Sequence, residues 1–305
     1  MDKILLLLGV LLMFAALTDA VKPTDIVSVM YNANAPGAVD PAPPVATNTY
    51  PEQRSVGFQG DEAALEPRTG NATQIAGSAD INGVIFTGPV LWDGQGGTLR
   101  LTNCVINAGV STTGAIIALS GGRIEIDSCT LRVTDSNSSG VVHGAAVKII
   151  TNSDLSGAGD GINSAQPGSL IEGNWIHDLQ QSPDCAQVHN DGVQIYAGQG
   201  DVTIRNNRIE LPSTGCNGNA VVFTQGAGIG DIIIEGNYMR GGEAILKNQD
   251  GTMHVIGNTF VNNSNIDVAN GFSCCKINFY SATNGTIGQW NNNINDLNLT
   301  IPQPQ

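Results

Sequence analysis

Charge, aromatic rings and basic side chains are all scarce in this chain. Only 13% of its 305 residues are charged and 5% are aromatic, and 13 Lys and Arg face 27 Asp and Glu, a net charge of −14. So few cations exclude a broad phosphate-binding surface and with it a nucleic-acid partner, because backbone phosphates are met by clustered Lys and Arg. Missing Ala/Leu and charged heptads exclude a coiled coil. Extended disorder is excluded too, since 41% hydrophobic residues at low charge can fill a core. Long apolar runs are absent beyond the first twenty residues. What abounds instead is Gly (38) and Asn (30), residues that tolerate positive φ and punctuate a chain that turns often. The composition points to a turn-rich, β-dominated protein.

Residues 1–20 read as a secretory signal peptide. Met1-Asp2-Lys3 opens it, Ile4 to Leu17 forms its apolar stretch, and Thr18-Asp19-Ala20 offers small residues for cleavage. That stretch is short for a bilayer span, so the expectation is an extracellular protein with no membrane attachment after cleavage. Six cysteines suit an oxidising compartment and invite disulfides. Asn71, Asn137, Asn262, Asn284 and Asn298 stand in glycosylation sequons, which count only in a eukaryotic host. Residues 21–75, with Pro36, Pro41, Pro43, Pro44, Pro51 and Pro67, read as a tether leading into a cap. Residues 76–305 read as one domain.

A repeat runs through that domain. Leu101–Ile106, Ile126–Leu131, Ile150–Leu155, Ile171–Ile176, Ile204–Ile209, Ile234–Met239 and Val255–Phe260 share one pattern. Each is apolar, two turn-forming residues, a small polar residue, any residue, then apolar. The fourth position reads Cys104, Cys129, Ser153, Asn174, Asn207, Asn237, Asn258 and then Asn292, at spacings of 21 to 34 residues. Such a period marks a solenoid. Its apolar runs are short, β-branched and bounded by Gly and Asn, which makes them strands, and Ile/Val in place of Leu sets the chain apart from leucine-rich repeats. The expected fold is all-β: a single-stranded right-handed parallel β-helix with three short strands per rung and about nine rungs. The recurring Asn should sit at the bend between the second and third strands, where amides bond from rung to rung.

A second column precedes the first strand: Ala145–Lys148, Asp160–Asn163, Asp191–Gln194, Asn219–Val222 and Glu243–Leu246. Strand alternation would turn Val147, Ile162, Val193, Val221 and Ile245 inward, and Lys148, Asn163 and Gln194 outward. On this alignment Lys247 falls with the inward Phe223 and Ile195, so either the strand bends or the register slips.

Gly157–Asn163, Ser169–Asp178, His189–Gln194 and Val202–Asn207 resemble the secreted right-handed β-helix proteins of the pectin-lyase-like superfamily, over about residues 80 to 298. The resemblance implies the fold and an extracellular setting. It implies no single reaction, since that superfamily holds lyases, hydrolases, epimerases, tailspikes and non-catalytic proteins. Asn190-Asp191-Gly192 is similar to the Asn-Thr-Asp-Gly strand of polygalacturonases, which carries a catalytic carboxylate, and Asp160 would fit a second. Their Gly-His-Gly and Arg-x-Lys motifs have no counterpart on the later rungs, which read Gly218-Asn-Ala-Val-Val222 and Glu243-Ala-Ile-Leu-Lys247. The calcium-binding run of pectate lyases is missing as well.

The candidate catalytic residues are Asp160, Asp191, His189 and His177. Two ionised carboxylates one rung apart repel by about 3 kcal/mol, so they share a proton, hold a divalent cation such as calcium, or are screened by water. The carboxyl spacing of glycosidases falls in the same range. Equally, Asp-Gly is ordinary turn chemistry. His189 and His177 flank the insertion Leu179 to Asn190 and suit proton transfer or, in the plainer alternative, a bond to a loop carbonyl. Lys148, Asn163, Gln194, Arg205 and Tyr196 are the candidate substrate-binding residues, the cations meeting an acidic sugar group or standing solvated. Trp175, Tyr196 and Tyr238 are the few rings available to stack on sugar. Cys104 and Cys129 share the ladder position on successive rungs, as a disulfide or as stacked thiols, whereas Cys185 and Cys216 would cross-link neighbouring loops and Cys274-Cys275 is vicinal. No zinc site is expected from these spacings, and no cofactor beyond the cation. The expected partner is an extracellular polysaccharide, met either by a lyase- or hydrolase-like enzyme or by a non-catalytic adhesion module.

Overall fold

The computed structural model describes residues 26–28, 50–51, 55–110, 114–134, 139–180, 190–211, 220–242, 244–261, 277–280, 285–295, 300 and 303, with backbone alone at 26–28 and 277–280. The signal segment, His189, Cys185, Cys216 and Cys274-Cys275 lie outside the described residues. Within them the chain is a right-handed parallel β-helix. Three sheets of ten, nine and ten strands run its length. Every turn gives one strand to each sheet. Val142–Gly144, Val147–Thr151 and Asp154–Ser156 form one rung, Ile162–Asn163, Leu170–Glu172 and Trp175–His177 the next, and Val193–Tyr196, Val202–Arg205 and Arg208–Glu210 the one after. These define the first, second and third sheets. Rungs pair in parallel, and Ile26–Ser28 alone among the strands lies antiparallel, against Ile277–Tyr280 at the C-terminal edge of the first sheet.

Inward side chains stack in columns along the axis. Leu101, Ile126, Ile150, Ile171, Ile204 and Ile234 follow one another in register on the second sheet, all sealed from water. Each such side chain stabilises the fold by about 1.5–3 kcal/mol, and no single rung buries its own.

The bend between the second and third strands repeats a two-residue device. Its first residue is left-handed: Asn103, Ser128, Asn152, Asn206 and Asn292 stand at φ 48–54°, and Gly173, Gly236 and Gly257 take the same place. Gly and Asn tolerate that conformation best, which explains their recurrence. The second residue turns inward and forms the ladder. Asn207 Oδ1 accepts from the Asn174 backbone N–H at 2.9 Å and from Asn174 Nδ2 at 3.0 Å, while Asn207 Nδ2 donates to Ile171 O at 2.9 Å and to Asn237 Oδ1 at 3.0 Å. The ladder ends on Asn293, whose Oδ1 accepts from Asn258, rather than on Asn292; the latter is the left-handed residue before it. Upstream the links are weaker: Cys104 N–H reaches Cys129 Sγ at 3.3 Å, and both cysteines are free thiols.

Part of the segment before the first rung is bound to the solenoid. The Tyr50 ring packs on Tyr238 with centroids 5.3 Å apart, and its hydroxyl lies 2.7 Å from Thr259 Oγ1. Gly57 N–H donates to Asn152 O at 2.8 Å, Phe58 N–H to Thr130 Oγ1 at 3.0 Å, and Glu62 pairs with Arg132 at 2.9 Å. Glycine is required at 57, where φ is +78° and a Cβ would stand 2.8 Å from that of Asp154. The described residues of this segment therefore bind the third sheet at two places, the rungs of Tyr238 and Thr259 and those of Thr130 and Asn152, and tie them as a strap.

Register along the first sheet differs from the expected column. Val142, Ile162, Val193, Val222 and Leu246 are successive partners, so the entry position reads Gly140, Asp160, Asp191, Ala220, Ala244. Val221 and Ile245 thus sit one residue from the expected place. Ala145–Lys148 does not belong to this column, because Lys148 lies on the second sheet opposite Ile124 and points inward. The outward column is His143, Asn163, Gln194, Phe223, Lys247. Lys247 is therefore outward without any bend, its Nζ 4.8 Å from the Phe223 ring centroid.

Candidate functional site

The outward column of the first sheet gathers most of the expected residues. Asp160 and Asp191 enter consecutive rungs, and each reaches across to the rung that follows. Asp160 Oδ1 accepts the backbone N–H of Asp191 at 2.8 Å, and Asp191 Oδ1 accepts that of Ala220 at 2.7 Å. The glycine after each Asp lets the next rung close down: a Cβ on Gly161 would lie 2.5 Å from Gly192 O, and one on Gly192 2.5 Å from Val221 O. Asp-Gly is here an inter-rung clamp, with the aspartate bonding to its neighbour's backbone.

A polar network grows from this clamp. Asp160 Oδ2 accepts from Asn163 Nδ2 at 2.8 Å, and the same nitrogen faces Gln194 Oε1 at 2.9 Å and Tyr196 Oη at 3.2 Å. Tyr196 donates its hydroxyl to Gln194 Oε1 at 2.8 Å, and Gln194 Nε2 donates to Gln225 Oε1 at 3.1 Å. The floor is closed to bulk water: Asn163 is 4% exposed, Gln194 3%, Asp160 7% and Asp191 0%. Tyr196, Gln225 and His143 are half-buried around it. Acceptors outnumber donors. An amide nitrogen with two hydrogens serves three oxygens, which also fixes the amide's orientation, since turning it would set Oδ1 against the Asp160 carboxylate and the Gln194 oxygen. Asn163 Oδ1 and His143 Nδ1 are both buried, and the two side chains interact across neighbouring rungs.

Burial raises the Tyr196 pKa, opposed by its bond with Asn163 and reinforced by the charges of Asp160 and Asp191, so the phenol stays a proton donor. Burial, and then the charge of Lys148, lower that of His143 against an opposing pull from Asn163, so the ring stays neutral. Lys148 lies behind this pair, inside the solenoid. Its Nζ donates to Gly144 O at 2.6 Å, Ser164 O at 2.6 Å and Ala146 O at 3.2 Å, and burial lowers its pKa to about 7. Gly144 and Ser164 directly follow His143 and Asn163, so this buried amine pins both strands as they leave the first sheet. Lys148 is thus no outward sugar ligand, as strand alternation would have it.

The other expected residues stand elsewhere. Arg205 is on the second sheet, its Nε 2.9 Å from Glu172 Oε1. His177 is on the third sheet, between Asp154 at 2.8 Å and Asp178 at 2.9 Å, with its ring stacked 3.5 Å from that of Trp175. Burial works against its charged form, but Asp154 and then Asp178 outweigh it and the pKa is raised. Neither residue shares a face with Asp160 and Asp191. Among the described residues no group of three or more His, Cys, Asp or Glu side chains gathers to hold a metal ion. His143 is the residue the sequence reading left out of the site. Its signal is the match of Gly140-Val-Val-His143 to Asp160-Gly-Ile-Asn163, which the structure pairs rung to rung.

Compared with protein-family models, with curated proteins and with solved structures, the chain matches none of them.

Proposed function

We propose that this is an extracellular polysaccharide-active protein, lyase- or hydrolase-like, and that its site is the outward column of the first sheet. One observation carries the reading: two carboxylates, a phenol held protonated, a neutral imidazole and two amides converge on adjacent rungs of one rigid sheet. Amides and hydroxyls both donate and accept, which suits the hydroxyls of a sugar, and perturbed titratable groups cluster where proton transfer occurs. Asp191 and Asp160 are the acid–base pair of this reading, Tyr196 a proton donor beside them, and Asn163 and Gln194 the substrate ligands. The signal-like residues 1–20 and the resemblance to pectin-lyase-like proteins support the extracellular glycan setting.

The test is incubation of the full chain with a polysaccharide panel, following reducing ends and the absorbance of unsaturated uronates. Asp191→Asn keeps an oxygen that can accept from Ala220 and removes the charge, so turnover should fall at least a hundredfold with the β-sheet circular dichroism retained. A second reading, a non-catalytic glycan-binding module, is favoured by the oxygen each Asp spends on the next rung. Binding without turnover, unchanged in Asp191→Asn, would establish it instead.

A further inference from the structure

The second sheet has an outward face that neither the Asp-Gly clamp nor the strap uses. Its middle outward column reads Glu125, Ile149, Leu170, Thr203, Ile233, His254 from rung to rung. Ile149 and Leu170 are half-buried, Ile233 is 38% exposed, and none of the three belongs to the core. Val147 stands beside Ile149 on the same face. A run of aliphatic and β-branched side chains here breaks the apolar-in, polar-out alternation over four consecutive rungs, with charged residues at both ends. No long insertion borders the face. From Thr98–Thr102 to Thr252–Ile256, each strand is entered by a turn of at most six residues and left by a bend of two.

We infer that this face is the docking surface for a second copy of the chain, lying side by side with its rungs in register. Charge and area select that occupant. A two-fold axis parallel to the solenoid and over the middle column sets each residue of that column against itself, so Ile149, Leu170, Thr203 and Ile233 form one apolar seam. The same axis reverses the strands, so their ends exchange. Arg123 and Asp127, the two ends of one strand, then meet each other across the pair, and Arg205 meets Asp201. Glu125, facing itself, arrives already held by Arg100 at 2.6 Å and Arg123 at 2.5 Å. Asp231 and Glu235 meet as like charges, which ends the seam at that rung. An axis across the solenoid would instead set Ile233 against Glu125 and Asp127 against Glu235, desolvating carboxylates without a counter-charge. As for area, nine strands about 4.8 Å apart and about five residues long span roughly 43 by 16 Å. Two such faces bury on the order of 1,400 Å², the size of a stable interface. The net charge of −14 on each copy opposes their approach, so the apolar seam carries the contact and added salt should tighten it. The pairing is independent of the glycan reading, because it covers neither the first-sheet column nor the strap.

Sedimentation velocity of the full chain over a micromolar concentration series tests it. The expected result is a monomer–dimer equilibrium that shifts towards dimer as salt is added. Leu170→Glu sets two carboxylates face to face at the centre of the seam and should raise the dimer Kd at least about tenfold. Val110→Glu, exposed and off the second sheet, should leave it unchanged. Should Leu170→Glu lose its β-sheet circular dichroism, Ile233→Glu, at the most exposed place on the seam, is measured instead. The register is read from Ile233→Cys treated with a short bismaleimide, which should add a covalent dimer that the parent chain under the same treatment lacks. A chain that stays monomeric throughout the series would overturn the inference, as would a dimer indifferent to both Leu170→Glu and Ile233→Glu. A dimer that responds to them yet gives no link at position 233 would overturn the in-register arrangement.

Discussion

Asn207 and Asn163 are both buried amides in the same solenoid, and their surroundings are opposite. Asn207, at the inner bend, has both hydrogens and its oxygen engaged by partners above and below. Asn163, on the outer face, has an oversubscribed nitrogen, and its side chain also interacts with His143. A repeating backbone gives every inner Asn the same set of partners, so that network closes on itself. On the outer face the neighbours change from rung to rung, so Asn163 meets a different set of partners from any ladder amide. A closed repeating network holds the fold along its length, whereas an irregular one holds only the rungs it joins.

This contrast can be broken by substitution. Asn207→Ala should cost about 3 kcal/mol in urea unfolding, because it strands the Asn174 backbone N–H, Asn174 Nδ2 and Ile171 O in a dry interior. Next comes a pH effect behind the outer-face network. With Lys148 depressed to about 7 in the fold and near 10.4 when unfolded, the unfolded chain alone holds that proton in between. Stability should therefore rise with pH from about 7 towards 10, by up to about 1.4 kcal/mol per pH unit from this group, and Lys148→Met should flatten the rise. Cys129→Ala, at the weak end of the ladder, should cost about 1 kcal/mol on cavity and hydrogen-bond grounds. Asn163→Ala should cost less than Asn207→Ala, about 1 kcal/mol, since Gln194 Oε1 keeps the Tyr196 hydroxyl as its donor. Equal costs at 163 and 207 in the same denaturation series would erase the distinction between the two networks.

Much of the fold was legible because the helix repeats itself. A bend that demands a left-handed residue, followed by a small polar one, writes itself into the sequence eight times over as Asn, Gly or Ser before Cys, Ser or Asn. The final copy was misplaced by one residue because Asn291-Asn292-Asn293 offers three equivalent choices, and only the backbone says which is left-handed. The first sheet was harder to read. Its strands are as short as Ile162–Asn163, so alternation has too few residues to fix a register. Lys148 then broke the rule that charge points outward: three carbonyls gathered at a corner draw its amine inside, a tertiary demand that no local pattern encodes. That one inversion pulled Ala145–Lys148 into the wrong column and hid His143. Asp160, Asp191, Asn163, Gln194 and Tyr196 survived as a group because they sit on rungs whose Asp-Gly entries align unambiguously. His177 and Arg205 were near in sequence and are on other faces, because each turn of the coil distributes consecutive strands over three sheets.

The strap from Tyr50 to Glu62 changes how such a molecule should come apart. A plain solenoid couples only adjacent rungs, so its ends peel away one layer at a time under tension or heat. Here the Tyr50 ring and hydroxyl hold the Tyr238 and Thr259 rungs, while Gly57 and Phe58 hold those of Asn152 and Thr130. Distant layers are thereby tied in parallel, like a binding glued along the spine of stacked pages. Loosening the last pages means lifting the binding first, and a pulled chain should yield in one large step instead of a staircase.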